Sequence, residues 1–295
     1  MARNAELVGL AALATLGAVA AACRSTTTRP SARSNNARAV DSASALLAFS
    51  ALADSSVEHY RGSFHNKTMY APLAVSALTL AASLRDLFRP RGHDLGGSVV
   101  ENLALTTGII GTGFHIYNVA KRPGGVSWLN LLYAAPLGAP AALSLAGLLR
   151  KVTRGLREGR QIGGVRPSKL LAGLVSAGLI GTSAEAGLLH FRGAYHNPAM
   201  VIPITVPPIA AALLAYAILT PKQPHPVTRW SLRLLAGVGL LGSGFHAYGI
   251  SRNMGGWRNW SQNLLNGPPL PAPPAFTALA MAGLVAVRLI ERSDA

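Results

Sequence analysis

Displaced by 131 residues, the chain matches itself, so any fold it adopts must accommodate two copies of one pattern. The run Asp54-Ser-Ser-Val-Glu-His59-Tyr-Arg61-Gly62-Ser-Phe-His65-Asn66 returns as Glu185-Ala-Gly-Leu-Leu-His190-Phe-Arg192-Gly193-Ala-Tyr-His196-Asn197. Met69 and Pro72 return as Met200 and Pro203, and Gly111-Thr-Gly113-Phe-His115-Ile-Tyr117 returns as Gly242-Ser-Gly244-Phe-His246-Ala-Tyr248. After a two-residue insertion, Asn130 and Pro136-Leu137 correspond to Asn263 and Pro269-Leu270.

Within each copy, apolar stretches alternate with short linkers. They cover 42–60, 69–88, 98–120 and 129–149, then 170–191, 200–219, 232–250 and 276–290, with a further stretch at 6–23. A helix that crosses the hydrocarbon core needs about 20 mostly apolar residues. The pattern therefore predicts an all-α polytopic integral membrane protein with eight core transmembrane helices, arranged as two tandem four-helix-bundle repeats, plus an extra N-terminal helix. Four crossings per copy leave both copies in the same orientation, which predicts parallel repeats related by an axis along the membrane normal. The expected divisions are 1–36 for the N-terminal helix and a basic linker, 37–155 for the first repeat and 156–295 for the second. The stretch 1–23, which ends in Ala-Ala-Ala-Cys23, reads either as a retained helix or as a signal or lipoprotein sequence.

Composition agrees with the membrane class. Half of the 295 residues are hydrophobic and only 13% are charged, which excludes an ordinary soluble hydrolase, and the lone Cys23 excludes an intrachain disulfide scaffold. The net charge of +16 is distributed by topology. If the basic linkers at 24–40 and 150–169 face the cytoplasm, 19 of the 27 Lys and Arg residues fall on the inner side. The outer side is left with Arg3, Arg61, Lys67, Lys121, Arg122, Arg192, Arg252 and Arg258. That distribution predicts a bacterial-type inner membrane, a retained first helix with its N-terminus outside, and no nucleic-acid partner.

Six of the eight histidines fall in three equivalent pairs, His59/His190, His65/His196 and His115/His246, whereas neighbouring Leu, Ala and Val positions differ between the copies. His59 and His115 lie near the outer ends of the first and third helices of their repeat. These helices are diagonal in an up-down bundle, so two imidazoles at one depth can face each other across the core, as in a metalloporphyrin held by two axial histidines. His190 and His246 repeat the arrangement. Gly111 and Gly242 precede the third-helix histidines and are expected to let a flat macrocycle approach the backbone, although glycine is equally a helix-contact residue in membranes. Arg61 and Arg192 are candidate partners of propionate carboxylates or interfacial anchors.

His65 and His196 follow a glycine where the helix is expected to end, and about 240° of helical rotation separates His65 from His59. They are candidate alternative metal ligands, propionate partners or quinol-site groups. Asp54 and Glu185 are equivalent acids inside an apolar helix, where an ionisable group is functional by default, as a metal ligand, a proton path or an interhelix bond. The outer loops after the third helices combine Gly-Gly, Trp and amide residues and are a candidate docking surface or quinone-head pocket. Glu58 and Glu101 carry little weight, because Leu189 and Leu232 replace them in the second copy. No phosphate-binding loop, dinucleotide fingerprint, HExxH or Cys pair is present.

These features predict a membrane electron-transfer subunit of a redox complex, more a redox carrier than an enzyme by itself. It would hold b-type haem or another metal centre in each repeat near the outer face. The expected partners are the bilayer, other membrane subunits, an extracytoplasmic redox protein and a quinone. The alternatives are a metal-ion or proton transporter built on the repeated His and Asp/Glu residues, a membrane enzyme with a non-haem transition metal, or a structural accessory subunit.

Overall fold

The computed structural model describes residues 32–88, 95–220 and 223–293. The predicted helix at 6–23 lies outside them. The described residues form α1 (Ala32–Arg61), α2 (Tyr70–Phe88), α3 (Leu95–Ala120), a short α4 (Trp128–Leu132), α5 (Gly138–Glu158), α6 (Pro167–Arg192), α7 (Ile202–Leu219), α8 (Pro226–Arg252), a short α9 (Trp260–Asn266) and α10 (Pro274–Ser293). Single 3₁₀ turns at Lys67–Met69 and Pro198–Val201 lead into α2 and α7, and no strand occurs among the described residues.

Five of these helical stretches, Lys67–Phe88, Pro167–Arg192, Pro198–Leu219, Pro226–Arg252 and Pro274–Arg292, are long and apolar enough to cross a membrane. Ile109, Ile110 and Phe114 of α3 stay exposed, as do Leu240, Leu241 and Phe245 at the same offset on α8. Outward rows of large apolar side chains of this kind suit a lipid bilayer as solvent.

Packing follows one pattern of neighbours. α1 lies against α2 and α5, and α3 against α5 and α2; α6 lies against α7 and α10, and α8 against α10 and α7. In addition α1 packs on α10, and α5 on α6, which puts these four helices at the centre. Several of the largest fully buried side chains, among them Leu47, Leu149, Leu171 and Leu279, lie on them. Of the apolar stretch of α10, 72% is buried, against 17–28% in the other four candidate spans.

Serine and threonine hydroxyls join the helices where backbones approach. Ser144 of α5 donates to the Leu105 carbonyl of α3 at 3.1 Å, and Thr277 of α10 donates to the Ala236 carbonyl of α8 at 2.8 Å. Both contacts need a glycine opposite. A Cβ on Gly108 would meet Ser144 and the Pro140 carbonyl, and one on Gly239 would meet Thr277 and the Pro273 carbonyl.

Several boundaries differ from those read in the sequence. The basic linker expected at 24–40 is helical from Ala32, because Asn36, Ala37 and Val40 are buried in the bundle and draw the helix inward. The apolar stretch 129–149 is not one helix. It breaks after α4 and restarts as α5 at Gly138, beyond Pro136, and α5 then runs through the basic residues to Glu158. The expected divisions at 36/37 and 155/156 therefore fall inside α1 and α5.

The basic end of α5 is not a solvated face. Arg150 pairs with Asp86 of α2 at 2.9 Å, Arg154 with Glu101 of α3 at 2.8 Å, and Arg157 with Asp41 of α1. The three acids and Arg150 are buried. α1, α3 and α5 are not among the five apolar stretches, and the pairs give Glu101 a structural role that its leucine counterpart concealed. In the second copy the counterparts of the acids are Ala172, Ala217 and Leu232, and those of the arginines are Gly283, Val287 and Ile290. An apolar core occupies the place of the ionic one: Ala172 and Leu232 are 0% exposed, and Ala217, Val287 and Ile290 are all buried.

Candidate functional site

The end of the molecule opposite the ionic cluster carries the repeated histidines. α1 ends at Arg61 and α6 at Arg192, each in the same turn. Ser63 and Phe64 have φ of 56° and 45°, and Ala194 and Tyr195 have 54° and 46°. Two consecutive left-handed residues without glycine are strained, and such strain persists only where the surroundings fix it. Here the Phe64 N–H donates to the His59 carbonyl at 3.0 Å, and the Tyr195 N–H to the His190 carbonyl at 3.1 Å. Asn66 and Asn197 then cap the 3₁₀ turns by accepting from Thr68 N–H and Ala199 N–H.

The product of this turn is a carbonyl in a fixed place. His59 Nδ1 lies 2.7 Å from the Met69 oxygen, and His190 Nδ1 lies 2.8 Å from the Met200 oxygen. The methionine side chains close back on the turn, with their Cε atoms 3.1 Å from where a Cβ of Gly62 or Gly193 would stand. On the third helices, His115 Nδ1 lies 2.5 Å from the Pro136 oxygen and His246 Nδ1 2.7 Å from the Pro269 oxygen. A carbonyl can only accept, so each Nδ1 carries a proton, and in the neutral ring Nε2 then presents its lone pair. No Nε2 of the four has a hydrogen-bond partner among the described residues.

The histidines also come together in pairs. The His190 and His246 rings lie 6.5 Å apart, centroid to centroid, with their planes at 71°. His59 and His115 are close enough for their charges to act on each other. Two metal–nitrogen bonds of about 2 Å, with about 1.1 Å from each nitrogen to its ring centre, place two imidazole centroids about 6 Å apart across one metal ion. Phe64 and Tyr195 present a ring edge to His59 and His190, both at 6.3 Å.

The remaining sequence-predicted residues are placed differently. His65 and His196 are exposed and turn their Nδ1 atoms onto the Gly62 and Gly193 carbonyls, both at 3.0 Å. Arg61 pairs with Glu58 at 2.7 Å, and the Arg192 guanidinium lies over the Tyr133 ring at 5.8 Å. Gly111 and Gly242 lie where α3 and α8 approach their neighbours, since an added Cβ would press on Pro140 at 3.1 Å and on Pro273 at 2.9 Å. The Glu185 carboxylate rests on Gly138 at the start of α5 and lies near enough to Asp54 for the two charges to interact. Among the described residues no three His, Cys, Asp or Glu side chains are grouped as ligands of one ion.

In the outer loops, the Asn130 amide donates to the Pro123 and Gly125 carbonyls at 3.0 and 2.7 Å, and the Asn263 amide to those of Met254 and Gly256 at 3.1 and 2.8 Å. These amides shape their own loops and are not free for a docked ligand. Sequence reasoning assigned no role to Met69, Met200, Pro136 and Pro269, whose carbonyls orient the four imidazoles. Their recurrence at the repeat offset was the available signal.

No protein-family model, curated protein or solved structure matches this chain.

Proposed function

We propose that the chain is a membrane electron-transfer subunit built from two parallel four-helix repeats, each holding one b-type haem between two histidines. His59 with His115 and His190 with His246 would hold it. The observation that carries this reading is the state of the four rings: each has Nδ1–H fixed on a backbone carbonyl and a bare Nε2, which is how a protein orients a metal-ligating histidine. A porphyrin supplies four equatorial nitrogens, so two imidazoles complete the iron's coordination. A bare ion requires a larger protein ligand set than the pairs offer. The haem, when bound, would supply one-electron chemistry, and the helices would supply its axial ligands and a low-dielectric surrounding.

The segregation of charge supports an orientation with the histidine end on the outer face of a bacterial-type inner membrane, beside a quinone or an extracytoplasmic redox partner. The test is a dithionite-reduced minus oxidised visible spectrum of the protein in mild detergent, with pyridine haemochrome quantitation and metal analysis on the same sample. A reduced α band and two haems per chain are expected. Absence of chromophore together with stoichiometric metal would replace haem with a non-haem centre, and absence of both would remove the redox reading.

A further inference from the structure

At the basic end of the molecule, away from the histidines, a cavity of about 390 Å³ opens between the start of α1, the ends of α5 and α10, and the N-terminus of α6. Arg160, Arg166 and Arg292 line it, with Ser168 and Asn36. Arg160 pairs with Glu158, whereas Arg166 and Arg292 have no ion-pair partner among the described residues. α6 is 26 residues long and begins at Pro167, which has no N–H, without a side-chain cap; Leu170 N–H donates to the Arg166 carbonyl at 3.0 Å, which leaves the Ser168 and Lys169 N–H groups unclaimed at the positive end of the helix dipole. The decisive observation is Asn36. It is 3% exposed, it lines this cavity, and its Nδ2 amide has no hydrogen-bond acceptor. A buried amide donor without an acceptor is costly unless something supplies the acceptor.

The two unclaimed N–H groups of Ser168 and Lys169, the guanidinium forks and a buried amide donor form a set of donors that an oxyanion satisfies together. We infer that this cavity binds a phosphate group, carried by an anionic phospholipid headgroup or free in solution. Basic pockets between membrane helices on the cytoplasmic side suit the headgroup. The exposed positions of Arg166 and Arg292 leave the cavity open to one whose acyl chains stay outside. The inference uses none of the histidines and holds whether or not haem is bound.

The test uses the full chain in an uncharged detergent, with dioleoylphosphatidylglycerol, dioleoylphosphatidylcholine and inorganic phosphate as probes. The readouts are the thermal midpoint and lipid retained in native mass spectrometry. Phosphatidylglycerol is expected to raise the midpoint and stay bound where phosphatidylcholine does not, and the double variant R166Q/R292Q should need roughly ten times more of it. N36A, which keeps every arginine, should weaken binding as well, whereas R233Q, which removes a charge outside the cavity, should not. An equal effect of inorganic phosphate would identify free phosphate as the source in place of lipid. Wild-type binding by both cavity variants, or no response of the wild type to either phosphate probe, would overturn the inference.

Discussion

His190 and His246 lie edge to face with ring centroids 6.5 Å apart, and each is held there by a backbone carbonyl from the connection that follows its own helix. Met200 and Pro269 thus fix where the two imidazoles meet. The same carbonyls recur at Met69 and Pro136.

Each pair is expected to act as a separate site. His190→Ala or His246→Ala should halve the haemochrome content of the purified protein, from two per chain to one, and joining His59→Ala to either should abolish it. Substitution of the exposed His65 and His196 should leave the content unchanged. Unaltered spectra in the paired-histidine variants would remove these residues as ligands.

The ion pairs at the other end lend themselves to a double-mutant cycle. Asp86→Ala alone strands buried Arg150 and should destabilise the protein by about 3–5 kcal/mol, while Asp86→Ala with Arg150→Gly, the residues of the second copy, should recover most of that loss. Denaturation in detergent micelles gives the coupling energy. Additive losses would mean that the two residues do not depend on each other.

Two glycine pairs on the third helices should respond in opposite ways. Gly108→Ala and Gly239→Ala push a Cβ into the backbone of α5 and α10 and should cost about 1–3 kcal/mol. Gly113→Ala and Gly244→Ala meet nothing within 4 Å and should be neutral or slightly stabilising. Thermal midpoints of the four variants decide the matter.

The turn after the first histidine should be stabilised by relieving its backbone. Ser63→Gly and Ala194→Gly place glycine at φ of 56° and 54° and should each add about 1 kcal/mol without changing haem content. A loss of stability in both would mean that the side chains, not the φ angles, hold the turn.

The class of fold and the histidine positions were legible because both recur. Apolar periodicity announces helices, and a residue kept at one offset while its neighbours change announces a constraint. Partnership across helices was not legible. Asp41, Asp86 and Glu101 look like isolated acids in the sequence, and Arg150, Arg154 and Arg157 look like a cytoplasmic charge run; only packing brings the two sets together. For the glycines before His115 and His246, sequence spacing shows that a side chain is missing but not which neighbour needs the room: Gly111 and Gly242 lie against Pro140 and Pro273, whereas Gly113 and Gly244 face open space. A backbone acceptor is not encoded by residue type, so the recurrence of Met69 and Pro136 marked these positions while their role came from geometry.

α10 has a further consequence, which concerns time. Among the described residues it is synthesised after the seven other long helices, yet it packs on α1, α6 and α8 and is the most buried of the candidate spans. Until the ribosome delivers it, the faces of α1 and α6 that it will cover remain open to lipid or to the insertion machinery. The centre of the molecule therefore closes late in biogenesis, and a nascent chain stalled before residue 274 would carry all four paired histidines on a scaffold still missing its keystone.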